Sequence, residues 1–326
     1  DGRAIAAGGP SRPTVQPARC MPDGVEITMT PTIPPTPLQL ALPFGRIAGL
    51  RHGQPGALPV LALHGWLDNA ASFDALGAEL GQDVDLVAID LPGHGHSDWL
   101  PSAPQAYNLS TAASHVLAIA DALGWQHFVL MGHSMGAAIA SLVAAIAPQR
   151  VLRLACIDAL GPLSAAPNDT VPQLRRHLQA LQQPPRPLRL FTEIAFPVRA
   201  RMLANQLGEP AARALVERGL HAVPGGWQWR SDPQLMLPSA VYMSEQQVCD
   251  VLAAICCPVW VVLATPAPVH LPASMRTRRL ACLRNATLIQ RKGPHHLHME
   301  QAAALAPALR RFLHGDPRRS DRPAAD

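Results

Sequence analysis

Six short apolar runs recur along the chain, each closing on a polar or glycine-rich turn: Pro59–Leu63, Val84–Asp90, His127–Met131, Val151–Asp158, Pro258–Ala264 and Ala286–Gln290. The runs are continuous rather than alternating, which is the pattern of strands buried on both faces. Segments with apolar residues at helical spacing lie among them: Ser110–Leu123, Met135–Ala147 and Gln301–Leu313. Strand–helix alternation with right-handed crossovers predicts an α/β fold, with a mostly parallel central sheet flanked by helices.

The rhythm breaks between Leu163 and Val248. That stretch carries helical patterns at Val171–Gln183, Phe196–Leu207 and Ala211–Gly219, then GGWQWRSDPQLMLPS. It is too long for a loop and reads as a helical cap or lid inserted after the fourth of the six runs. The expected organisation is a flexible arm over 1–35, with one strand at Val25–Met29. The first part of the core follows over 36–162, the cap or lid over 163–248, the second part of the core over 249–313, and a disordered tail over 314–326. Met21 is an alternative start, since the chain opens on Asp1.

Composition excludes several classes. Hydrophobic residues make up 48% and charged residues 15%, enough to build a core and too apolar for a disordered polymer. Net charge is only +4 and aromatics are 4%, with no dense basic run, so a nucleic-acid groove is not expected. No stretch reaches the roughly 18 consecutive apolar residues of a membrane span. The six Cys (20, 156, 249, 256, 257 and 282) form no C-x-x-C pair, and no export signal precedes them. Reduced core thiols in a cytoplasmic protein are the expectation.

The sharpest motif is Gly132-His133-Ser134-Met135-Gly136, placed between an apolar strand and a small-residue helix. In that context G-x-S-x-G forms a tight strand-to-helix turn that lifts the Ser hydroxyl above the sheet edge. The helix N-terminus behind it favours a developing anion. The bland alternative is a plain turn with a solvated Ser. A Ser hydroxyl needs a base, and the last strand leads into Gly293-Pro294-His295-His296-Leu297-His298. His295 comes first after the turn and is the expected base; His296 and His298 read as supporting residues. Three imidazoles also invite a metal, but no H-E-x-x-H spacing accompanies them, so no metal is expected.

The third group must be a carboxylate. The slot after the fifth run reads Ala264-Thr265-Pro266-Ala267-Pro268, and no Asp or Glu occurs from Val251 to Met299. Asp158, which ends the fourth run, is the candidate. For the oxyanion, the expected backbone donors are Met135 and Trp66, in the loop His64-Gly65-Trp66. Substrate contacts are expected from Trp66, His133, Trp227 and Trp229. Leu91–Ser97 (LPGHGHS) lacks the Lys and register of a phosphate loop and reads as a structural turn.

These residues resemble the α/β-hydrolase superfamily from about Leu40 to Leu313. Three segments are similar to the serine hydrolase-like proteins: HGWLDNAASFD (His64–Asp74), IDALGP (Ile157–Pro162) and GGWQWRSDPQLMLPS (Gly225–Ser239). The resemblance implies an eight-stranded core sheet, a helical cap and no cofactor. An acid after the fourth run is similar to the arrangement in haloalkane dehalogenases. Those carry Asp as nucleophile where this chain has Ser134, so dehalogenation and epoxide opening are not implied. Where family members often carry Arg in the DPxL segment, this chain has Gln234.

The expected function is a serine hydrolase cleaving a carboxylic ester or thioester of a small, apolar molecule through an acyl-enzyme. Alternatives are a non-catalytic ligand receptor or interaction module on the same fold, or acyl transfer, lyase or perhydrolase chemistry at the same Ser. No signal of oligomeric state is present.

Overall fold

A computed structural model describes residues 34–101, 107–184 and 187–315. The strand expected at Val25–Met29 and almost all of the 1–35 arm lie outside them, as does the tail beyond Gly315.

The chain begins with an antiparallel pair, β1 (Thr36–Leu42) and β2 (Gly45–Gly53), then β3 (Leu58–Leu63), α1 (Asp74–Leu80) and β4 (Val84–Ile89). Helix α2 (Leu109–Ala122) leads to β5 (Phe128–His133), and α3 (Met135–Ile146) leads to β6 (Val151–Ile157). The inserted segment follows. It holds α4 (Thr170–Leu181), α5 (Ala195–Asn205), α6 (Glu209–Gly219) and a hairpin of β7 (Leu220–Val223) and β8 (Gly226–Trp229). Then come α7 (Glu245–Ala253), β9 (Val259–Thr265), α8 (Ala273–Ala281), β10 (Ala286–Lys292), α9 (Leu297–Glu300) and α10 (Ala302–His314).

The main sheet has eight strands in the order β1-β2-β4-β3-β5-β6-β9-β10. Strands β1 and β2 join it antiparallel; the other pairs are parallel. All six apolar runs form strands of this sheet. Those of β4 and β5 are buried at every position, because helices cover both faces. One apolar layer packs β-strand residues such as Leu61, Val87, Leu130 and Val261 against α2 and α3. The other packs Val60, Leu86, Met131 and Val262 against α1 and α10. Helix α3 is rich in Ala, so it lies close to the sheet and is buried from Gly136 to Ala144.

Three expectations change. The cap pattern is not wholly helical, since Leu220–Trp229 forms a hairpin turning at Pro224–Gly225, with Gly225 at φ +87°. The expected boundary at 248/249 falls inside α7, a helix capped by Ser244 whose Val248 and Leu252 pack into the sheet core. The tail does not begin at His314. Leu305, Leu309 and Leu313 form one buried stripe that carries α10 through His314, and Gly315 at φ +82° ends it.

The five described cysteines are free thiols, and burial raises Cys156 to about 12. Among the described residues no helix is long and apolar enough to cross a membrane.

Candidate active site

Parallel strands place their carboxyl ends along one edge of the sheet, and the loops leaving that edge can converge. Here β3, β5, β6 and β10 deliver, in turn, Trp66, Ser134, Asp158 and His295. The backbone ties them together. Ser134 N–H donates to the Ile157 carbonyl at the end of β6, and Asp158 N–H donates to Val262 O in β9 at 2.8 Å.

Ser134 sits at φ 51°, ψ −115°, a conformation L-residues rarely hold. The turn is possible only because its flanks are glycine. A Cβ on Gly136 would fall on the Leu63 carbonyl, and one on Gly132 would fall on the Gly136 backbone. The Ser side chain is therefore thrust outward, half-buried, at the N-terminus of α3. Met135 N–H opens that helix, where the first N–H groups have no intrahelical acceptor.

Asp158 is 1% exposed and also has positive φ, 47°. Its two oxygens are divided. Oδ1 accepts from Ala264 N–H at 2.7 Å and from Arg276 at 3.0 Å. Oδ2 accepts from His295 Nδ1 at 2.6 Å. With Nδ1 donating, Nε2 of a neutral His295 carries the lone pair, as a base requires. The His295 side chain is 29% exposed. Among the described residues, Ser134 Oγ and His295 Nε2 are not yet joined by a hydrogen bond. Catalytic bonds of this kind often tighten only with substrate present.

Behind His295 lies a fully buried polar layer. His133 Nε2 donates to the His295 carbonyl at 3.1 Å. His296 Nε2 donates to Asp68 Oδ2 at 3.1 Å, and His298 shares a 2.6 Å hydrogen bond with Ser72. His133 Nδ1 is 3.6 Å from the same Asp68 oxygen, too long for a hydrogen bond. Burial lowers His133 to about 4 and holds His298 well below its ordinary value, so both rings are neutral near pH 7. Burial alone would raise Asp68; the hydrogen bond from His296 and the Arg201 charge instead hold it well below the carboxylate range.

Asp68, His133 and His296 offer ligand atoms within 4.8 Å of one another, the donor types of a zinc site. Their surroundings fit a hydrogen-bonded support better. Asp68 Oδ1 already faces the Arg201 guanidinium at 3.3 Å, and all three side chains are sealed from solvent. A divalent ion would add charge beside that arginine.

The expected substrate contacts divide. Trp66 is 49% exposed and stands beside the site, its indole donating to Leu235 O in the inserted segment at 3.0 Å. His133 does not face outward: its ring is fully buried and packs against His295, His296 and His298 at 4.3–4.6 Å. Being the residue just before Ser134, it points to the opposite side of the strand. Trp227 and Trp229 belong to an apolar cluster of the inserted segment with Phe191, Val198 and Leu215. Phe191 and Trp229 meet edge to face at 6.0 Å, and Trp227 exchanges both backbone hydrogen bonds with Phe191. Sequence reasoning missed Asp68, Arg201 and Arg276 altogether.

Leu91–Ser97 is a structural turn, as expected. Its backbone wraps the Asp90 carboxylate, which accepts from His96 N–H and Ala70 N–H and pairs with Arg218 of α6 at 2.7 Å. Burial, with nearby His64, lowers His94 in this turn to about 3. The same rim anchors the inserted segment through Trp99 to Arg230 O and Tyr107 to Asp232, both at 2.7 Å.

Comparison with known proteins follows the same lines. A family model described as the alpha/beta hydrolase fold matches residues 59–230. A serine hydrolase-like protein of Dictyostelium discoideum is 31% identical over 280 residues, 78% of this chain and 74% of the relative. Among solved structures, a hypothetical protein of Pseudomonas aeruginosa is similar with a TM-score of 0.80 at 35% identity, over 87% of this chain and all of that one. A thioesterase domain from the curacin biosynthetic pathway is similar with a TM-score of 0.75 at 25% identity, over 84% of this chain and 98% of the domain.

Proposed function

Because the chain belongs to the α/β-hydrolase family, we propose that it is a serine hydrolase acting on a carboxylic ester or thioester through an acyl-enzyme. Ser134 Oγ attacks the carbonyl carbon while His295 Nε2 takes its proton. Asp158 holds the imidazole in the productive tautomer and offsets the cation that forms. The N–H groups of Met135 and Trp66 receive the oxyanion. His295 then returns the proton to the leaving alcohol or thiol, and water repeats the sequence to release the acid.

The observation that carries this reading is the 2.6 Å contact from His295 Nδ1 to Asp158 Oδ2, made beside a Ser held at positive φ on the same sheet edge. The serine hydrolase-like relatives support the hydrolase class. The thioesterase neighbour favours including thioesters among the substrates. The non-catalytic alternative drew its support from the missing acid after β9, and with Asp158 beside His295 that support is gone.

A fluorophosphonate probe with a series of p-nitrophenyl esters tests the reading. The expected result is covalent labelling at Ser134, ester turnover, and loss of both in Ser134→Ala. A well-folded wild type that neither labels nor turns over any ester sinks it.

A further inference from the structure

We propose that Arg276 is a positioning residue of this site, which selects the Asp158 oxygen that meets His295 and opposes the cation His295 acquires during turnover. The inference rests on the serine hydrolase reading above and adds a residue to it.

Arg276 lies on α8, the helix that follows the acid-free slot after β9. Its side chain is 5% exposed. Nη2 donates to Asp158 Oδ1 at 3.0 Å and Nη1 donates to Ala264 O at 2.6 Å. Ala264 N–H in turn donates to Asp158 Oδ1. The guanidinium fork thus grips the carboxylate and the end of β9 together. Two donors fill Oδ1, and Oδ2 is left to His295. An ammonium could not reproduce this, because the planar fork sets both bonds at once.

Charge gives the second consequence. An unpaired aspartate would offer its whole negative charge to the imidazolium. Asp158 shares that charge with a buried guanidinium at a distance comparable to its distance from His295. Arg276 lies beyond the carboxylate, on the oxygen that His295 does not use, so by Coulomb's law its repulsion of the imidazolium is opposite in sign to the aspartate's attraction and the smaller of the two. The other groups facing His295 are His270 at 6.1 Å between ring centres, His133 at 4.6 Å and His296 at 5.5 Å. Burial holds His270 and His133 below their ordinary values, so neither brings a positive charge near pH 7. Asp68, paired with Arg201, stands one imidazole further back. Arg276 is the permanent cation bound to the carboxylate that His295 uses.

The test is the pH dependence of fluorophosphonate labelling in wild type, Arg276→Met and Arg276→Lys, with melting temperatures alongside. In Arg276→Met the acid limb should move up by about one pH unit, a tenfold change in proton affinity. In Arg276→Lys the limb should stay near wild type while the plateau rate falls, because charge is kept and the fork is lost. If the methionine variant does not fold, Arg276→Gln removes the charge, keeps two N–H donors and reads the same limb. A wild-type limb in folded Met or Gln variants overturns the proposal, with melting temperature alone registering a structural role. If wild type does not label, the serine hydrolase reading fails. An NMR titration of the His295 ring, which needs no activity, then decides the Arg276 claim by itself: an unmoved titration overturns it.

Discussion

Asp158 and His295 stand 137 positions apart in the chain and 2.6 Å apart in space, joined from β6 to the loop after β10 across the intervening strand β9. Replacing Asp158 by Asn puts an amide where the carboxylate was. The amide N–H would donate to Nδ1 and force the proton onto Nε2, the nitrogen that must accept from Ser134. The expected loss is about 10³- to 10⁴-fold in kcat. Asn also leaves Arg276 buried without its carboxylate, at a cost of about 3–5 kcal/mol in stability. Ester turnover is to be measured well below the variant's melting temperature. Activity within tenfold of wild type there would remove Asp158 from the proposed triad.

Ser134 holds φ 51° to present its hydroxyl, and that conformation costs about 1–3 kcal/mol for a residue with a Cβ. Ser134→Gly relieves the strain but loosens the unfolded chain, leaving a net gain on the order of 1 kcal/mol. Ser134→Ala keeps the Cβ and gains nothing from φ. Both should lose labelling. Urea denaturation should rank Gly above Ala and wild type; equal midpoints for Gly and wild type would mean the elbow stores no strain.

The elbow also depends on contact between α3 and β3. In Gly136→Ala the new methyl falls on the carbonyls of Leu63 and His64, which are backbone and cannot swing aside. The helix must move away from the sheet, at about 3 kcal/mol for overpacking of this kind. The same shift carries Met135 N–H and the His64–Trp66 loop out of register, so labelling should slow even in the folded fraction. Unchanged stability and labelling would contradict the close packing at this turn.

The parts of this molecule that can be read from sequence are those whose signal is local. The runs at β4 and β5 announce buried strands because they are apolar apart from Asp85 and the terminal Gly132-His133, and Gly132 and Gly136 flank Ser134 within five positions. Asp158 is reachable by elimination, since no acid occurs from Val251 to Met299, which covers the slot after β9. Strands β1 and β2 were legible but unread: Leu38, Leu40 and Leu42 alternate with polar or small residues, the period of a half-exposed edge. The hairpin at Leu220–Trp229 has strands of four residues, too short to show a period. Asp68, Arg201 and Arg276 carry no local signature. Each matters through a partner brought near by the fold, and Asp68 meets His296 across 228 positions.

The buried imidazoles predict how stability changes with pH. His133 titrates in the folded state near 4 and His94 near 3, and His298 lies well below its ordinary value, each chiefly through burial. In the unfolded chain each returns to about 6.5. Between these values the unfolded state binds protons that the folded state refuses, so stability rises with pH across that window. It is fully present above about pH 6.5 and is lost as pH falls toward 4. The slope is about 1.4 kcal/mol per pH unit for each such group, which makes the loss from pH 7 to pH 5 about 2 kcal/mol each for His133 and His94; His298 adds a loss in the same direction. His298→Gln removes one titrating group while keeping a side chain that can bond Ser72. Its stability at pH 7 should fall, but its decline between pH 6 and pH 5 should be shallower than wild type by one proton's worth. Denaturant midpoints across pH 5–8 check this, and a wild-type curve that is flat or rises toward pH 5 would mean that these rings are charged in the folded protein.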